Sequence, residues 1–229
     1  MTVPYQPSPQ VLDQLKEVNF VAVVGPTAVG KTTLIKAATT QEPHRLHMLV
    51  AGVSRVPRPG EQHGIDFHFG NKLDMTKRAR RGEYVTVVTG ATDDLYTTAP
   101  EDYQADKTVL MAVLAHAMPL FKALPFKSFR TIFIVPPDPR TWHARLGQHQ
   151  FTAEQLEKRM AEAARSLAFA KQQPDISFIV NDNLNTATAD FVHVALHGSP
   201  LPARLKNDQI KARRLVRELQ DSLSTSAVA

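Results

Sequence analysis

None of the 229 residues is cysteine, which excludes disulfides, zinc–thiolate centres and thiol nucleophiles. No apolar run approaches the roughly 20 residues needed to cross a bilayer as a helix. The first ten residues hold Pro4, Pro7 and Pro9 and do not follow the charged, apolar, small-residue order of a signal peptide, so the cytoplasm is the expected compartment. There is no internal repeat. The histidines show no ligand spacing except His193 and His197 at i, i+4, which lack a third ligand or a general-base glutamate and read as a surface pair. A length of this order supports one domain with extensions rather than two full domains. The formal charge of +5 suits anionic ligands such as nucleotides, and a phosphate-binding enzyme needs part of it, so nucleic acid is not an expected partner.

The most informative stretch is Gly25-Pro26-Thr27-Ala28-Val29-Gly30-Lys31-Thr32, which fits the phosphate-loop pattern G-x-x-x-x-G-K-[ST]. It follows the apolar run Phe20 to Val24 and precedes a segment, Thr33 to Ala38, able to continue as a helix. Two glycines let the backbone curl so that N–H groups face phosphate oxygens at the positive end of the new helix. Lys31 would reach the β and γ phosphates of a nucleotide, and the Thr32 hydroxyl would hold Mg²⁺. Thr27, Ala28, Val29, Gly30 and Thr33 complete the expected nucleotide cradle with Gly25.

Apolar runs at Phe20 to Val24, Leu46 to Val53, Tyr84 to Val88, Thr108 to Ala115, Thr131 to Val135 and Ser177 to Val180 read as strands. Helical spacing marks Val11 to Val18, Met118 to Leu124, two pieces within Asp138 to Gln173, and Thr186 to Leu196. Thr152 and Gln155 stand at capping-box spacing, and Pro119 fits a first turn. Ser54 to Gly70 reads as an irregular ligand-contacting excursion and Asp93 to Tyr103 as a polar loop. The alternation predicts an α/β fold with a parallel sheet flanked by helices. Residues 199–202 read as a proline-rich connection. Ala203 to Leu223 reads as a basic helix packed by a narrow stripe of Ile210, Leu215 and Leu219, with dimerisation or protein binding as the alternative, and Ser222 to Ala229 as a frayed tail.

Ser54-Arg55-Val56-Pro57-Arg58-Pro59-Gly60-Glu61, continued by Gly64-Ile65-Asp66-Phe67-His68-Phe69, places two arginines three apart and stiffens them with prolines, a fork for phosphate or carboxylate. The segment resembles the monophosphate site of the guanylate kinase family, with its S/T-R-x-P-R-x-G-E and G-x-D-Y-x-F elements. The resemblance continues in Ile132 to Pro137, Arg145-Leu146, Glu157-Lys158-Arg159-Met160 and Ile179 to Leu184, and spans about residues 19–196. It implies a P-loop NTPase core with an inserted monophosphate-binding region and a helical lid: an N-terminal extension (1–18), a kinase-like domain (19–198) with an acceptor region near 52–104 and a lid near 138–173, and a C-terminal extension (199–229). It also implies that Arg55 and Arg58 clamp the acceptor phosphate, that Arg145 and Arg159 close from the lid onto the transferring group beside Lys31, and that Asn181 lies on the adenine side. Ser54, Phe67, Thr86, Tyr96 and Thr98 would line the acceptor pocket.

Several positions depart from the family pattern. Ala51 stands where a serine helps to read guanine, Phe67 replaces a phosphate-binding tyrosine, and Thr86 replaces the guanine-reading glutamate, whose bidentate contact a hydroxyl cannot reproduce. Met111-Ala112-Val113 replaces a D-x-D pair, which leaves Asp93, Asp94 and Asp102 as candidate carboxylates, and His149 stands for a second lid arginine. Most groups that hold phosphate survive, and most groups that identify guanine do not. Three functions stay open at this level: an ATP-dependent kinase of a nucleoside monophosphate with GMP first, a kinase of another small phosphorylated acceptor, and an inactive nucleotide- or protein-binding module.

Overall fold

The computed structural model describes residues 5–58, 60–90, 93–149, 151–198 and 203–226. The beginning of the expected N-terminal arm, Pro59 of the two-arginine segment, the connection 199–202 and the last three residues of the expected tail lie outside them. Ser8 caps α1 (Pro9–Leu15) by accepting from the Val11 N–H, and Val11 and Leu15 reach the core. β1 (Asn19–Val24) is buried from Phe20 onward, as a continuous apolar run requires in a sheet covered on both faces. Gly30 begins α2 (Lys31–Gln41).

The run from 46 to 53, expected as one strand, is two: β2 (Leu46–Met48) and β3 (Gly52–Val53), which join different sheets. β4 (His68–Phe69) closes the irregular excursion. No helix was expected next, yet α3 (Lys72–Arg80) starts at Asn71, whose side chain accepts from the N–H groups of Leu73 and Asp74. β5 (Thr86–Thr89) is followed by β6 (Leu95–Thr98) inside the segment expected to be a polar loop. β6 is a strand because it pairs antiparallel with both β3 and β5, a tertiary partnership that its polar composition does not announce.

β7 (Thr108–Ala112), α4 (Met118–Lys122) with Pro119 in its first turn, and β8 (Ser128–Val135) follow. Asp138 caps α5 (Pro139–Gly147), and both halves of the Thr152–Gln155 capping box open α6 (Ala153–Gln172). β9 (Ser177–Val180) leads through the Asn183 cap into α7 (Leu184–His197), and α8 (Ala203–Ser226) ends the described chain.

The main sheet has the order β2-β7-β1-β8-β9, all parallel, and the smaller sheet the order β4-β3-β6-β5. Phe20 stacks on Phe126 with ring centroids 4.6 Å apart and on Phe121 at 5.4 Å. With β1 at the centre, the loop after it opens at the carboxyl edge of the sheet, where ligands of such folds bind.

α8 covers the edge strand β9. Leu205, Ala212, Leu215, Val216 and Leu219 are buried, whereas Ile210, expected in the stripe, is 75% exposed. Five residues beyond Leu205, it falls on the opposite side of a 3.6-residue turn. The Gln209 amide donates to the Phe178 carbonyl (2.9 Å) and accepts from the Phe178 N–H (2.6 Å), so one side chain stands in for a neighbouring strand. Among the described residues no helix is long and apolar enough to cross a membrane.

Candidate active site

The loop between β1 and α2 is held by its carbonyls. Those of Gly25 and Pro26 accept from the Lys31 ammonium (2.7 Å each), that of Thr27 from the Trp142 indole N–H (2.9 Å), and that of Val29 from the Asn181 amide (2.8 Å). In a planar trans peptide the N–H opposes the C=O. With these carbonyls turned toward protein donors, the N–H groups of Thr27, Ala28 and Gly30 are turned away from those donors. The curl needs unusual backbone: Gly25 has φ +148°, Gly30 +90° and Ala28 +61°. A Cβ on Gly30 would stand 2.4 Å from Asn181 Nδ2, and one on Gly25 2.5 Å from the Ile134 carbonyl oxygen. Thr32 and Thr33 are exposed at the first turn of α2.

Burial pushes the Lys31 ammonium down to about 8, opposed by Glu162 and helped by Arg159. Both of those side chains come from α6. Arg159 extends over the Phe151 ring, 5.6 Å from its centroid. Arg145 of α5 donates from Nη2 to the Asn181 carbonyl (3.0 Å), which ties it to the end of β9. Phosphate loop, Asn181 and Arg145 therefore form one bonded unit, with Trp142 joining α5 to the loop from the other side.

In the two-arginine segment, Arg55 forms a bidentate pair with Glu61 (Nη1 2.6 Å, Nη2 2.7 Å), and its guanidinium lies over Phe67 (5.2 Å) and Phe69 (5.7 Å). The Arg55 guanidinium, backed by the Arg58 N–H at 2.8 Å, holds the Glu61 carboxyl down at about 2. Arg58 itself is exposed. The Ser54 hydroxyl accepts from the Leu95 N–H (2.8 Å) and pins β6, and the Tyr96 ring meets Phe67 edge-on at 6.2 Å. Thr86 and Thr98 are buried with their hydroxyls 2.8 Å apart, and the Tyr103 hydroxyl donates to Thr98 (2.9 Å). Those two hydroxyls are engaged with each other and with Tyr103, whose own pKa burial raises.

Among the described residues, three buried side-chain polar atoms lack a hydrogen-bond partner: Arg55 Nε, Arg145 Nη1 and Glu162 Oε1. Arg145 is bonded to Asn181 beside the phosphate loop, Glu162 acts on Lys31, and Arg55 belongs to the two-arginine segment. The sequence profile of the family described as guanylate kinase matches residues 17–196. The chain belongs to the guanylate kinase family. It is 32% identical over 188 residues to a guanylate kinase of Mycobacterium bovis, covering 79% of this chain and 88% of that protein. A guanylate kinase of Thiobacillus denitrificans is 31% identical over 179 residues, with 75% and 82% covered. The crystal structure of guanylate kinase from Anaplasma phagocytophilum superposes with a TM-score of 0.53 at 15% identity, covering 86% of this chain and 88% of that one, a likeness of fold.

The guanylate kinase family is one of nucleoside monophosphate kinases, and the departures from its pattern acquire surroundings here. β7 ends on Met111 and Ala112 beside β1, without a carboxylate. Of the acids that sequence offered in exchange, Asp93 pairs with Lys72, and Asp102 faces His68 Nε2 at 3.6 Å. The acid whose charge acts on Lys31 is Glu162, which sequence reasoning missed. Its only sequence signal is a position three residues after Arg159, on the same helix face. Trp142, the single tryptophan, was also missed, since nothing in its spacing tells a core ring from one that donates to a loop. The His193 and His197 rings lie 5.3 Å apart, and the described residues contain no group able to hold a metal ion through three or more acidic, histidine or cysteine side chains.

Proposed function

We propose that the chain is a cytoplasmic nucleoside monophosphate kinase that transfers the γ-phosphoryl group of ATP to GMP, with Mg²⁺ on the nucleotide. The observation that carries this reading is the pair of buried arginine donors left without acceptors, Arg145 Nη1 on α5 and Arg55 Nε in the two-arginine segment. A buried unpaired donor costs about 1–3 kcal/mol, and phosphate oxygens are the acceptors that would satisfy both. Residues 19–198 act as the kinase body, 52–104 as the acceptor region and 138–173 as the lid.

ATP enters with its phosphates on the N–H groups of Thr27, Ala28 and Gly30, and Lys31 leaves the Gly25 and Pro26 carbonyls for the β and γ oxygens. The exposed Thr32 hydroxyl at the first turn of α2 fits an oxygen ligand for Mg²⁺, which would neutralise phosphate charge. With both Nη atoms on Glu61, Arg55 offers Nε to the acceptor phosphate, and Arg58 adds an exposed charge. An acceptor phosphate oxygen attacks the γ phosphorus, ADP leaves, and Arg145 and Arg159 balance charge on the moving group, so catalysis lies in positioning and electrostatics.

The base side favours a second reading, a less selective acceptor site. Ala51 offers no side-chain hydrogen bond, and the Thr86 and Thr98 hydroxyls bond each other. Sites that read a base edge by hydrogen bonding can discriminate by about 10⁴–10⁵; preference for GMP over AMP is expected to fall well below that. An ADP-formation assay across nucleoside monophosphates and sugar phosphates, with Lys31→Ala as control, decides. Turnover of GMP abolished by that substitution supports the proposal, GMP preference of the full size removes the second reading, and ATP binding without turnover of any acceptor ends the kinase reading.

A further inference from the structure

Glu162 is out of place in a site built for phosphate. Its side chain is 14% exposed, one turn beyond Arg159 on α6. Oε2 is occupied, by Arg165 Nη2 at 2.9 Å and His116 Nδ1 at 3.4 Å, while Oε1 is buried and takes no hydrogen bond. A latch between α6 and the turn at Ala115–Ala117 needs only Oε2. The free oxygen therefore calls for a donor of its own, because an unpaired buried acceptor is unfavourable.

Phosphate oxygens are acceptors and cannot supply it. Lys31 can. An ammonium has three donors, of which two now go to the Gly25 and Pro26 carbonyls; after the switch to two phosphate oxygens one again remains. Glu162 already acts on Lys31 as the opposing charge, although no ion pair joins the two among the described residues. The end of β7, beside the strand that feeds the loop, offers only Met111, Ala112 and Val113.

We propose that Glu162 is a positioning residue, whose free Oε1 takes the third donor of Lys31 as the lid closes and so aims the ammonium at the transferring phosphoryl group. The role in transfer rests on the kinase reading above; the pairing itself does not.

A double-mutant cycle of Glu162→Gln and Lys31→Met tests it, read by titrating ATP·Mg²⁺ against the fluorescence of Trp142 and by turnover with GMP. Glu162→Gln removes a negative charge from an anion site, so ATP is expected to bind equally or up to about fivefold more tightly, while turnover at saturation falls by about tenfold or more. Glu162→Asp, which keeps the charge, is expected to recover at least a third of the activity. In the cycle, the two effects on ATP affinity should depart from additivity by about fivefold or more. Additivity within twofold overturns the proposal, as does turnover of Glu162→Gln within twofold of the wild type. If Glu162→Gln loses its circular-dichroism melting transition and Glu162→Asp keeps the fold without activity, the role is structural and the proposal fails. Should the wild type bind ATP and turn over no acceptor, the kinase reading falls alone, and the binding cycle still decides for or against Glu162.

Discussion

At the residue scale, Gly30 and Glu61 carry the sharpest consequences. Gly30→Ala sets a Cβ 2.4 Å from Asn181 Nδ2 and forces alanine to φ +90°. The Asn181–Val29 bond must break, at about 2 kcal/mol for strain and lost bond together. We expect a lower melting temperature and at least tenfold weaker ATP binding by calorimetry, whereas Gly147→Ala, with nothing within 4 Å of its Cβ, should leave both unchanged or slightly improved. Glu61 sets a pH window. Its carboxyl falls from an ordinary 4.5 to about 2, chiefly through Arg55, so the pair contributes fully above 4.5 and is lost as pH falls toward 2. Glu61→Gln removes the preorganisation of Arg55 at any pH. The expected result is an acceptor KM raised about tenfold with the KM for ATP unchanged; equal changes in both would place the defect outside the acceptor side.

At the scale of elements, what could be read in advance divides along a physical line. β1, β8 and the phosphate loop were legible because a strand buried on both faces is a continuous apolar run, and a loop with forced glycines has fixed spacing. The division of 46–53 into β2 and β3 was not, because an apolar run does not say where the chain changes sheets. α3 escaped because only Met75 of its residues is buried, which leaves no hydrophobic period; the Asn71 cap was its one signal. Thr86 was legible as a departure in the base-reading strand, but its bond to Thr98 depends on the register of β5 against β6. That pairing makes a prediction for the small sheet. Thr98→Val leaves the buried Tyr103 hydroxyl without an acceptor and should destabilise the protein by about 1–3 kcal/mol. Adding Tyr103→Phe to it should restore much of the loss in a denaturant titration, and no recovery would mean that the Thr86 contact, rather than Tyr103, dominates.

At the scale of the whole molecule, α8 decides whether the main sheet can stand alone. The sequence offered it as a solvated helix or a partner surface, since its charges outnumber its apolar residues. Folded, it buries Leu205, Leu215, Val216 and Leu219 against the body and closes the β9 edge through Gln209. Burial of four such side chains is worth about 1.5–3 kcal/mol each, a sum that reaches the 5–15 kcal/mol of a typical domain's entire stability. A chain ending at residue 202 also exposes β9 as an unpaired edge, a template for aggregation. That chain is therefore expected to be insoluble, or to lose its cooperative melting transition, and not to be merely less active. Gln209→Leu separates the two contributions: it keeps α8 packed and opens the edge bonds at Phe178, together with the Gln209 contact to the Leu205 carbonyl of the same helix. We expect a loss of about 1–3 kcal/mol with turnover unchanged, because the bonds opened are at Phe178, three residues before Asn181, and the bonds of Asn181 to Val29 and Arg145 stay in place. A truncated chain that is monomeric by size exclusion and melts like the full one would mean that the body is complete without α8.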